Sequence, residues 1–162
     1  MTLKQSILIT GANGQLGQAL KLYANKDTVI FTNRTSFDIT NKLQMETVFK
    51  THSPSLVINT AAFTQVDDAE SMQETAFLIN ETAVKNLIEL CEKYNSKLIH
   101  ISTDYVFDGE SKTPYKETDQ TNPITVYGKS KRAGEAAILS SNLNAFAIIR
   151  TSWLYSRFGN NF

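Results

Sequence analysis

Five short apolar runs, separated by segments of helical length, constrain the fold of this chain most strongly. The runs are Ile7–Thr10, Val29–Thr32, Leu56–Asn59, Leu98–Ser102 and Phe146–Arg150. Their nearly continuous apolar character is typical of strands covered on both faces of a parallel sheet. Helical patterns lie between and beside them, near Gln15–Ala24, Lys42–Thr51, Glu74–Tyr94 and Val126–Ser140. This alternation predicts right-handed crossovers and a doubly wound α/β sheet with helices on both faces.

Three local features refine this prediction. A further short strand is expected at Phe37–Ile39. Asp67, Asp68 and Glu70 come before the third helical segment, where acidic side chains complement the positive end of a helix dipole. The longest irregular stretch is Asp108–Pro123, and a loop of this length in a compact domain is usually functional or mobile.

Composition excludes several classes of function. Sixteen basic and sixteen acidic residues cancel, so we expect neither nucleic acid nor a membrane surface as a partner. No signal-peptide pattern or membrane-spanning stretch is visible.

The single cysteine, Cys91, suits a reducing cytoplasm and lies on a predicted helix face, which indicates core packing. No set of side chains has metal-ligand spacing, so no metal site is predicted.

The turn after the first strand has glycines in the spacing G-x-x-G-x-x-G. Glycine allows a tight turn with positive φ, and it lets backbone amides approach an anion. The following helix presents free N–H groups to a pyrophosphate, as in Rossmann-like folds. Strand, glycines and helix in this order predict dinucleotide binding. The predicted contacts of this turn are Gly11, Asn13, Gly14, Gln15, Leu16 and Gly17.

The end of the second strand bears on the choice of dinucleotide. An NAD site usually places an acidic residue there, whereas this chain has Phe31-Thr32-Asn33-Arg34. Arg34 could pair with the 2′-phosphate of NADP, or it could be a solvated arginine in a turn. The sequence therefore favours NADP, with NAD possible. Asp38, followed by Ile39, could reach the adenine or cap the helix that starts near Lys42.

Tyr127 and Lys131 are four residues apart, on one face of a predicted helix. An ammonium one turn away should favour the phenolate and lower the pKa of Tyr127, and Lys131 could also hold the nicotinamide ribose. Such a pair can also be a plain surface pair. Here it follows a strand that ends in the hydroxyl-rich segment Ser102-Thr103-Asp104-Tyr105, at the sheet edge where ligands bind. These residues predict a nicotinamide-dependent oxidoreductase.

Five segments carry a resemblance to a known family. They are residues 9–17, 59–67, 102–109, 127–131 and 150–155. The chain resembles the N-terminal, cofactor-binding part of the extended short-chain dehydrogenases/reductases. Within that group it is most similar to the dTDP-4-dehydrorhamnose reductases, for which Ser-Thr-Asp-Tyr-Val-Phe-Asp-Gly and Arg-Thr-Ser-Trp are the more particular segments.

The resemblance implies a reaction and a set of roles. NADPH or NADH would reduce the 4-keto group of dTDP-4-dehydro-L-rhamnose to dTDP-L-rhamnose, a precursor of cell-surface polysaccharide. Tyr127 would donate the proton, Lys131 would orient the ribose, and Thr103 would support the reacting oxygen. The other implied contacts are Asp104 and Trp153 on the sugar nucleotide, Ala61, Ala62 and Phe63 along the cofactor, and Asn80 in a supporting role.

The sequence leaves alternatives open. A non-catalytic NADP-binding regulatory subunit is possible, as is a sugar-nucleotide epimerase or dehydratase on the same scaffold. Family members continue for more than a hundred further residues. We therefore expect residues 1–162 to form a dinucleotide-binding domain that lacks much of the substrate domain. Apolar surface around Trp153, Leu154 and Phe162 should then favour self-association, with little activity from this chain alone.

Overall fold

A five-stranded parallel sheet forms the centre of the computed structural model, which describes residues 6–25 and 27–159. The strands are β1 (Ile7–Thr10), β2 (Val29–Phe31), β3 (Leu56–Asn59), β4 (Lys97–Thr103) and β5 (Phe146–Thr151). Their order across the sheet is β2-β1-β3-β4-β5. Because β2 and β3 pair with opposite sides of β1, a crevice opens between their carboxyl ends.

Six helices flank the sheet within the described residues. They are α1 (Gln15–Tyr23), α2 (Lys42–His52), α3 (Val66–Ser71), α4 (Gln73–Phe77), α5 (Ala83–Lys93) and α6 (Val126–Leu139). A π-helical turn, Leu78–Thr82, joins α4 to α5, and a 3₁₀ turn, Asp104–Val106, follows β4. The predicted Rossmann-like fold class is confirmed, and each of the five predicted strands ends within one residue of its observed bounds.

Apolar side chains from neighbouring strands form the core. Leu8, Val57 and Leu98 stand in register across β1, β3 and β4, and each is almost fully buried. Phe49 of α2 and Cys91 of α5 belong to the same cluster, which confirms the predicted packing role of the cysteine. Burial raises the pKa of the Cys91 thiol to about 12, so the thiol stays protonated and inert.

The strand predicted at residues 37–39 is wrong. The Asn33 carboxamide oxygen accepts hydrogen bonds from the backbone N–H groups of Thr35 and Ser36, at 2.9 and 3.2 Å. This local turn folds the chain back before it can pair with β2 at the sheet edge. The Phe37 ring enters the core instead, with its centroid 6.4 Å from that of Phe49. Burial, and not strand pairing, explains why this segment is apolar.

The third predicted helix is divided. Where one helix from residue 74 to 94 was expected, α4, the π-helical turn and α5 follow one another. The acidic residues predicted to precede it lie in a separate short helix, α3, and Asp67 and Asp68 occupy its first turn. Their charges therefore complement the dipole of α3. Glu70 has a different role, described below.

The long segment at residues 108–123 contains no helix or strand, as predicted, but its ends are tied down. Asp108 accepts hydrogen bonds from the Tyr115 hydroxyl at 2.6 Å and from the Asn122 carboxamide at 3.2 Å.

In the described ranges, no helix combines the length and apolarity needed to cross a bilayer. Phe162, predicted to contribute to an exposed apolar surface, lies outside the described residues.

Candidate functional site

A cavity of about 610 Å³ lies at the carboxyl ends of the strands. Segments following each of the five strands contribute to its wall, together with α6. Most of the predicted site residues line it: Gly11, Asn13, Gly14, Gln15, Leu16, Arg34, Asp38, Ile39, Ala61, Ala62, Thr103, Asp104, Tyr127, Lys131 and Trp153. The structure therefore brings the predicted cofactor turn and the predicted proton donor to one cavity.

The three glycines after β1 serve different purposes. Gly11 has φ +64°, and a Cβ there would come within 2.7 Å of the Ala61 backbone nitrogen. A Cβ on Gly17 would lie 2.5 Å from the Gly11 carbonyl oxygen, so Gly17 is required by packing and does not line the cavity. Gly14 is less crowded and is the N-cap residue of α1. As a glycine, it places no side chain over the first N–H groups of the helix. The amide end of α1 is thereby turned to the cavity, as an anion site requires.

Arg34 and Asp38 lie together in the wall of the cavity. The Arg34 guanidinium is highly exposed, and its Nε lies 3.6 Å from the Asp38 carboxylate. A hydrogen bond from the Thr40 hydroxyl and the charge of Arg34 lower the pKa of Asp38 despite partial burial. The suggestion that Asp38 caps α2 is wrong, because the Asn41 side chain caps it by accepting from the Gln44 N–H at 3.1 Å.

Tyr127 is a protonated phenol in this site. Burial raises its pKa, and the negative charge of Asp104 adds to the rise, while a hydrogen bond with Thr103 opposes it. The prediction that Lys131 would lower the pKa of Tyr127 is therefore wrong, because desolvation is the largest influence and the charge of Asp104 acts in the same direction. The Thr103 hydroxyl donates to Asp104 Oδ1 at 3.1 Å and accepts from the Tyr105 N–H at 3.2 Å.

Lys131 is almost completely buried, with an exposed fraction of 2%. Its Nζ donates to the Ile101 carbonyl oxygen at 2.6 Å, which anchors the side chain to β4. Burial lowers the pKa of Lys131 to about 8, although the carboxylate of Glu135 acts in the opposite direction. Both the ammonium and the uncharged amine of Lys131 are therefore populated near neutral pH.

Asn80 holds the helix that carries Tyr127 and Lys131. Its carboxamide oxygen accepts from the Phe63 N–H at 2.9 Å, and its Nδ2 donates to the Phe63 carbonyl and to Ser130 Oγ at 3.0 and 2.9 Å. A Cβ on Gly134 would lie 2.2 Å from the Asn80 carbonyl oxygen, so α6 packs directly on the π-helical turn. The Phe63 ring, predicted to lie along the cofactor, is instead buried in a small core cluster with Val126 and Tyr127.

The first turn of α6 has two caps that sequence reasoning missed. Thr125 Oγ1 accepts from the Gly128 N–H at 3.0 Å. Glu70 Oε1, on α3, accepts from the Val126 N–H at 2.8 Å. Thr125 sits three residues before Gly128, as an N-cap residue should, and this local signal was available in the sequence. The Glu70 contact spans 56 residues and had no local signal.

A second cavity of about 620 Å³ adjoins the first. Asp104, Tyr105, Trp153 and Leu154 line both cavities. Trp153 has φ +51°, an uncommon backbone conformation for a bulky residue, and its ring stacks on Tyr155 at 6.2 Å. The two residues predicted to touch a sugar nucleotide, Asp104 and Trp153, therefore stand where the cavities meet.

Ser102 is a wall residue of the first cavity with an unsatisfied hydroxyl. Its Oγ is buried and has no hydrogen-bond partner among the described residues, although buried hydroxyls normally have one. Among the described residues, no group of three or more His, Cys, Asp or Glu side chains could hold a metal ion.

A parallel α/β sheet, a glycine turn at a helix N-terminus and a buried Tyr–Lys pair in one cavity define a Rossmann-like, dinucleotide-binding type of domain. Comparison with known families gives a match to the RmlD substrate binding domain over residues 5–162. The chain belongs to this family.

Individual relatives are similar over nearly the whole chain. A dTDP-4-dehydrorhamnose reductase of Sinorhizobium fredii is 44% identical over 157 residues, covering 96% of this chain and 53% of the relative. A dTDP-4-keto-6-deoxy-D-glucose reductase of Streptomyces niveus is 41% identical, covering 96% and 54%. The crystal structure of a Bacillus anthracis dTDP-4-dehydrorhamnose reductase in complex with NADP superimposes with a TM-score of 0.94 at 40% identity, covering 99% of this chain and 57% of that one. The chain thus spans about half the length of these relatives.

Proposed function

We propose that this chain is the cofactor-binding and proton-donating half of an NADPH-dependent reductase. Its substrate would be dTDP-4-dehydro-L-rhamnose, reduced at C4 to dTDP-L-rhamnose. The observation that carries the proposal is the single cavity that joins the glycine turn of β1–α1 to Thr103, Tyr127 and Lys131. The names of the Sinorhizobium fredii and Bacillus anthracis relatives support the same reaction.

The residues present fit a bound NADP. Gly14 and the amide end of α1 would hold the pyrophosphate, and Arg34 would pair with the 2′-phosphate. When bound, NADPH supplies the hydride that C4 of the sugar accepts.

Tyr127 would supply the proton for the same reduction. Its pKa is raised by burial, so the phenol is protonated at neutral pH and ready to donate to the oxygen at C4 as negative charge develops there. Thr103, whose side chain hydrogen bonds with Tyr127, would support that oxygen from the end of β4. The phenol gives up its hydrogen, the new alcohol gains it, and a phenolate remains.

Asp104 and Trp153 would contact the sugar nucleotide. Both line the passage between the two cavities, so a substrate could extend from Tyr127 into the second cavity. The aromatic wall there includes Phe107 and Tyr115, whose rings stack at a centroid distance of 4.2 Å.

A hybrid protein tests the proposal. We would join this chain to the C-terminal half of the Sinorhizobium fredii relative, so that every proposed proton-transfer group comes from this chain. With NADPH and dTDP-4-dehydro-L-rhamnose, mass spectrometry should detect dTDP-L-rhamnose. Tyr127→Phe should lower turnover by roughly 10²–10⁴-fold and leave NADPH affinity unchanged, because only the acid is lost.

Tyr23→Phe is the matched control, because Tyr23 is 86% exposed on α1 and lies outside the cavity. It should leave turnover unchanged. Near-normal turnover of the Tyr127→Phe hybrid would mean that the proton comes from another group, and the proposed site would be wrong.

A further inference from the structure

Three buried polar side chains form a row across the middle of the sheet. Thr10 of β1 is in register with Asn59 of β3, which is in register with His100 of β4. None of the three is more than 1% exposed. Burying a polar group is costly unless it is hydrogen bonded, so such a row in an apolar sheet calls for an explanation.

Hydrogen bonds connect the row to Lys131. Thr10 Oγ1 donates to Asn59 Oδ1 at 2.6 Å, and Asn59 Nδ2 lies 3.0 Å from His100 Nδ1. His100 Nε2 lies 3.5 Å from Lys131 Nζ. The chain of contacts therefore begins on β1 and ends at the amine on α6, which lines the cavity.

This arrangement determines which imidazole nitrogen carries hydrogen. Since Asn59 Oδ1 accepts from Thr10, the group of Asn59 that faces the ring is its NH₂, which can only donate. Nδ1 of His100 must then accept, and a neutral imidazole carries its hydrogen on Nε2. The ring is neutral because burial, and then the charge of Lys131, lower the pKa of His100 well below its usual value.

We propose that His100 is a positioning residue that acts through Lys131. Its Nε2–H faces the Lys131 amine and so favours the uncharged form, which can accept a hydrogen bond, over the ammonium, which can only donate. The contact itself does not depend on any substrate. The role it gives His100 in catalysis rests on the proposed function.

The other charged groups around Lys131 come from α6 and β5. Glu135, one turn along α6, favours the ammonium. Arg150 of β5 donates hydrogen bonds to both Glu135 oxygens, at 2.9 and 2.8 Å. This pairing weakens the electrostatic attraction between the Glu135 carboxylate and the Lys131 ammonium. Tyr127, also on α6, is a neutral phenol before it reacts. Burial is the main influence that opposes Glu135, and the contact with His100 on β4 acts in the same direction.

A readily deprotonated Lys131 has a use after the proposed reduction. The phenolate left on Tyr127 is a stronger base than an amine with a pKa of about 8, so the equilibrium places the proton on Tyr127 and not on Lys131. The amine that remains accepts a hydrogen bond from His100 Nε2–H. Solvent then returns the proton to Lys131, and the site is reset.

The tautomer of His100 can be measured directly in the unmodified 162-residue chain. Two-bond ¹H–¹⁵N spectra of protein with ¹⁵N-labelled histidine distinguish hydrogen on Nε2 from hydrogen on Nδ1. We expect His100 to be neutral with hydrogen on Nε2 throughout the neutral range. The exposed His52 supplies the reference signal. Hydrogen on Nδ1 would overturn the proposal, because Nε2 would then accept from the ammonium and stabilise it.

A variant tests the effect on Lys131. His100→Asn keeps an acceptor near the position of Nδ1 for Asn59 but removes the group that faces Lys131. The NMR titration midpoint of Lys131, assigned with Lys131→Met, should rise by about one pH unit, a tenfold change in proton affinity. His52→Asn is the control and should not move it.

A dispersed amide spectrum must show that each variant is folded, and the tautomer measurement decides the question if His100→Asn is not. An unchanged or lower midpoint in folded His100→Asn would overturn the proposal. Both measurements omit the substrate, so they can succeed or fail independently of the reductase assay.

Discussion

At the scale of single residues, the site depends on a lysine held in the interior by uncharged partners. Lys131 is bound by the Ile101 carbonyl and faces the His100 imidazole, and its pKa is lowered to about 8 by burial. The usual lysine pKa of 10.5 applies to the unfolded chain. This difference makes the stability of the fold depend on pH in a predictable direction.

We expect the substitution Lys131→Met to stabilise the fold, because it removes a buried amine, and the effect should be largest near neutral pH. Between pH 8 and 10.5 the unfolded chain binds a proton that the folded chain has released, so the free energy of unfolding of the unmodified protein rises with pH. The free energy of unfolding of Lys131→Met should therefore exceed that of the unmodified protein by less and less across this range, with a total change of about 3 kcal/mol at most. Urea unfolding at a series of pH values measures it. Lys50→Met, at an exposed site, is the control, and a pH-independent advantage would contradict the lowered pKa.

Arg34 is expected to determine the preference for NADPH over NADH. Arg34→Ala removes the guanidinium that would pair with the 2′-phosphate, at a cost of about 1.5–3 kcal/mol, or roughly ten- to a hundredfold in NADPH affinity. NADH affinity should change little, because NADH lacks that phosphate. Fluorescence titration of both cofactors measures the difference. Lys50→Ala controls for general loss of positive charge, and equal affinities in the unmodified protein would refute the assignment.

At the scale of elements, α6 is the part on which the site depends most. It carries both Tyr127 and Lys131, and its N-terminus is capped by Thr125 from its own segment and by Glu70 from α3. Asn80, in the π-helical turn, fixes it from the side through Ser130. These contacts come from three different parts of the chain and converge on one helix.

Removing either cap should destabilise the fold. Thr125→Ala and Glu70→Ala each leave an N–H group of the first turn unsatisfied, which costs about 1 kcal/mol. Glu70→Gln retains an acceptor oxygen and should lose less. Chemical denaturation measures these free energies of unfolding. Glu74→Ala, an exposed acidic residue in the next helix, is the control; if it costs as much as Glu70→Ala, the cap has no special role.

The elements show what could be read from the sequence and what could not. The strands were predictable because burial on both faces leaves an unbroken apolar run, as in Leu56–Asn59. The same signal failed at Phe37–Ile39, where the apolar side chains are buried by a turn. The π-helical turn was not predictable from local pattern, because its close contact with α6, between Asn80 and Gly134, joins residues far apart in the sequence.

The site shows a similar division. Glycine spacing and the Tyr–Lys pair were recognisable as local patterns, and the cavity brings both together. The row of Thr10, Asn59 and His100 was missed because its members are far apart in sequence and meet only through strand register. The available signal was a polar residue at the matching position of three largely apolar strands, Thr10, Asn59 and His100. The pKa of Tyr127 was misjudged because burial cannot be read from a helical spacing.

At the scale of the whole molecule, the glycine turn and Tyr127 line one cavity in a chain that spans about half the length of its relatives. We propose that this chain directs hydride to C4 of a dTDP-4-keto sugar and protonates the oxygen there. The hybrid with the Sinorhizobium fredii C-terminal half separates this claim from substrate binding, because the proposed chemistry then depends on this chain alone.

The most direct measurement follows deuterium from NADPH into the sugar. The hybrid would be incubated with dTDP-4-dehydro-L-rhamnose and NADPH that carries deuterium on C4 of the nicotinamide, and the product would be examined by NMR. We expect deuterium on C4 of the dTDP-L-rhamnose formed. The Tyr127→Phe hybrid should transfer deuterium at no more than roughly a hundredth of that rate. A folded hybrid that binds NADPH but leaves the sugar unreduced, or places deuterium at another carbon, would contradict it.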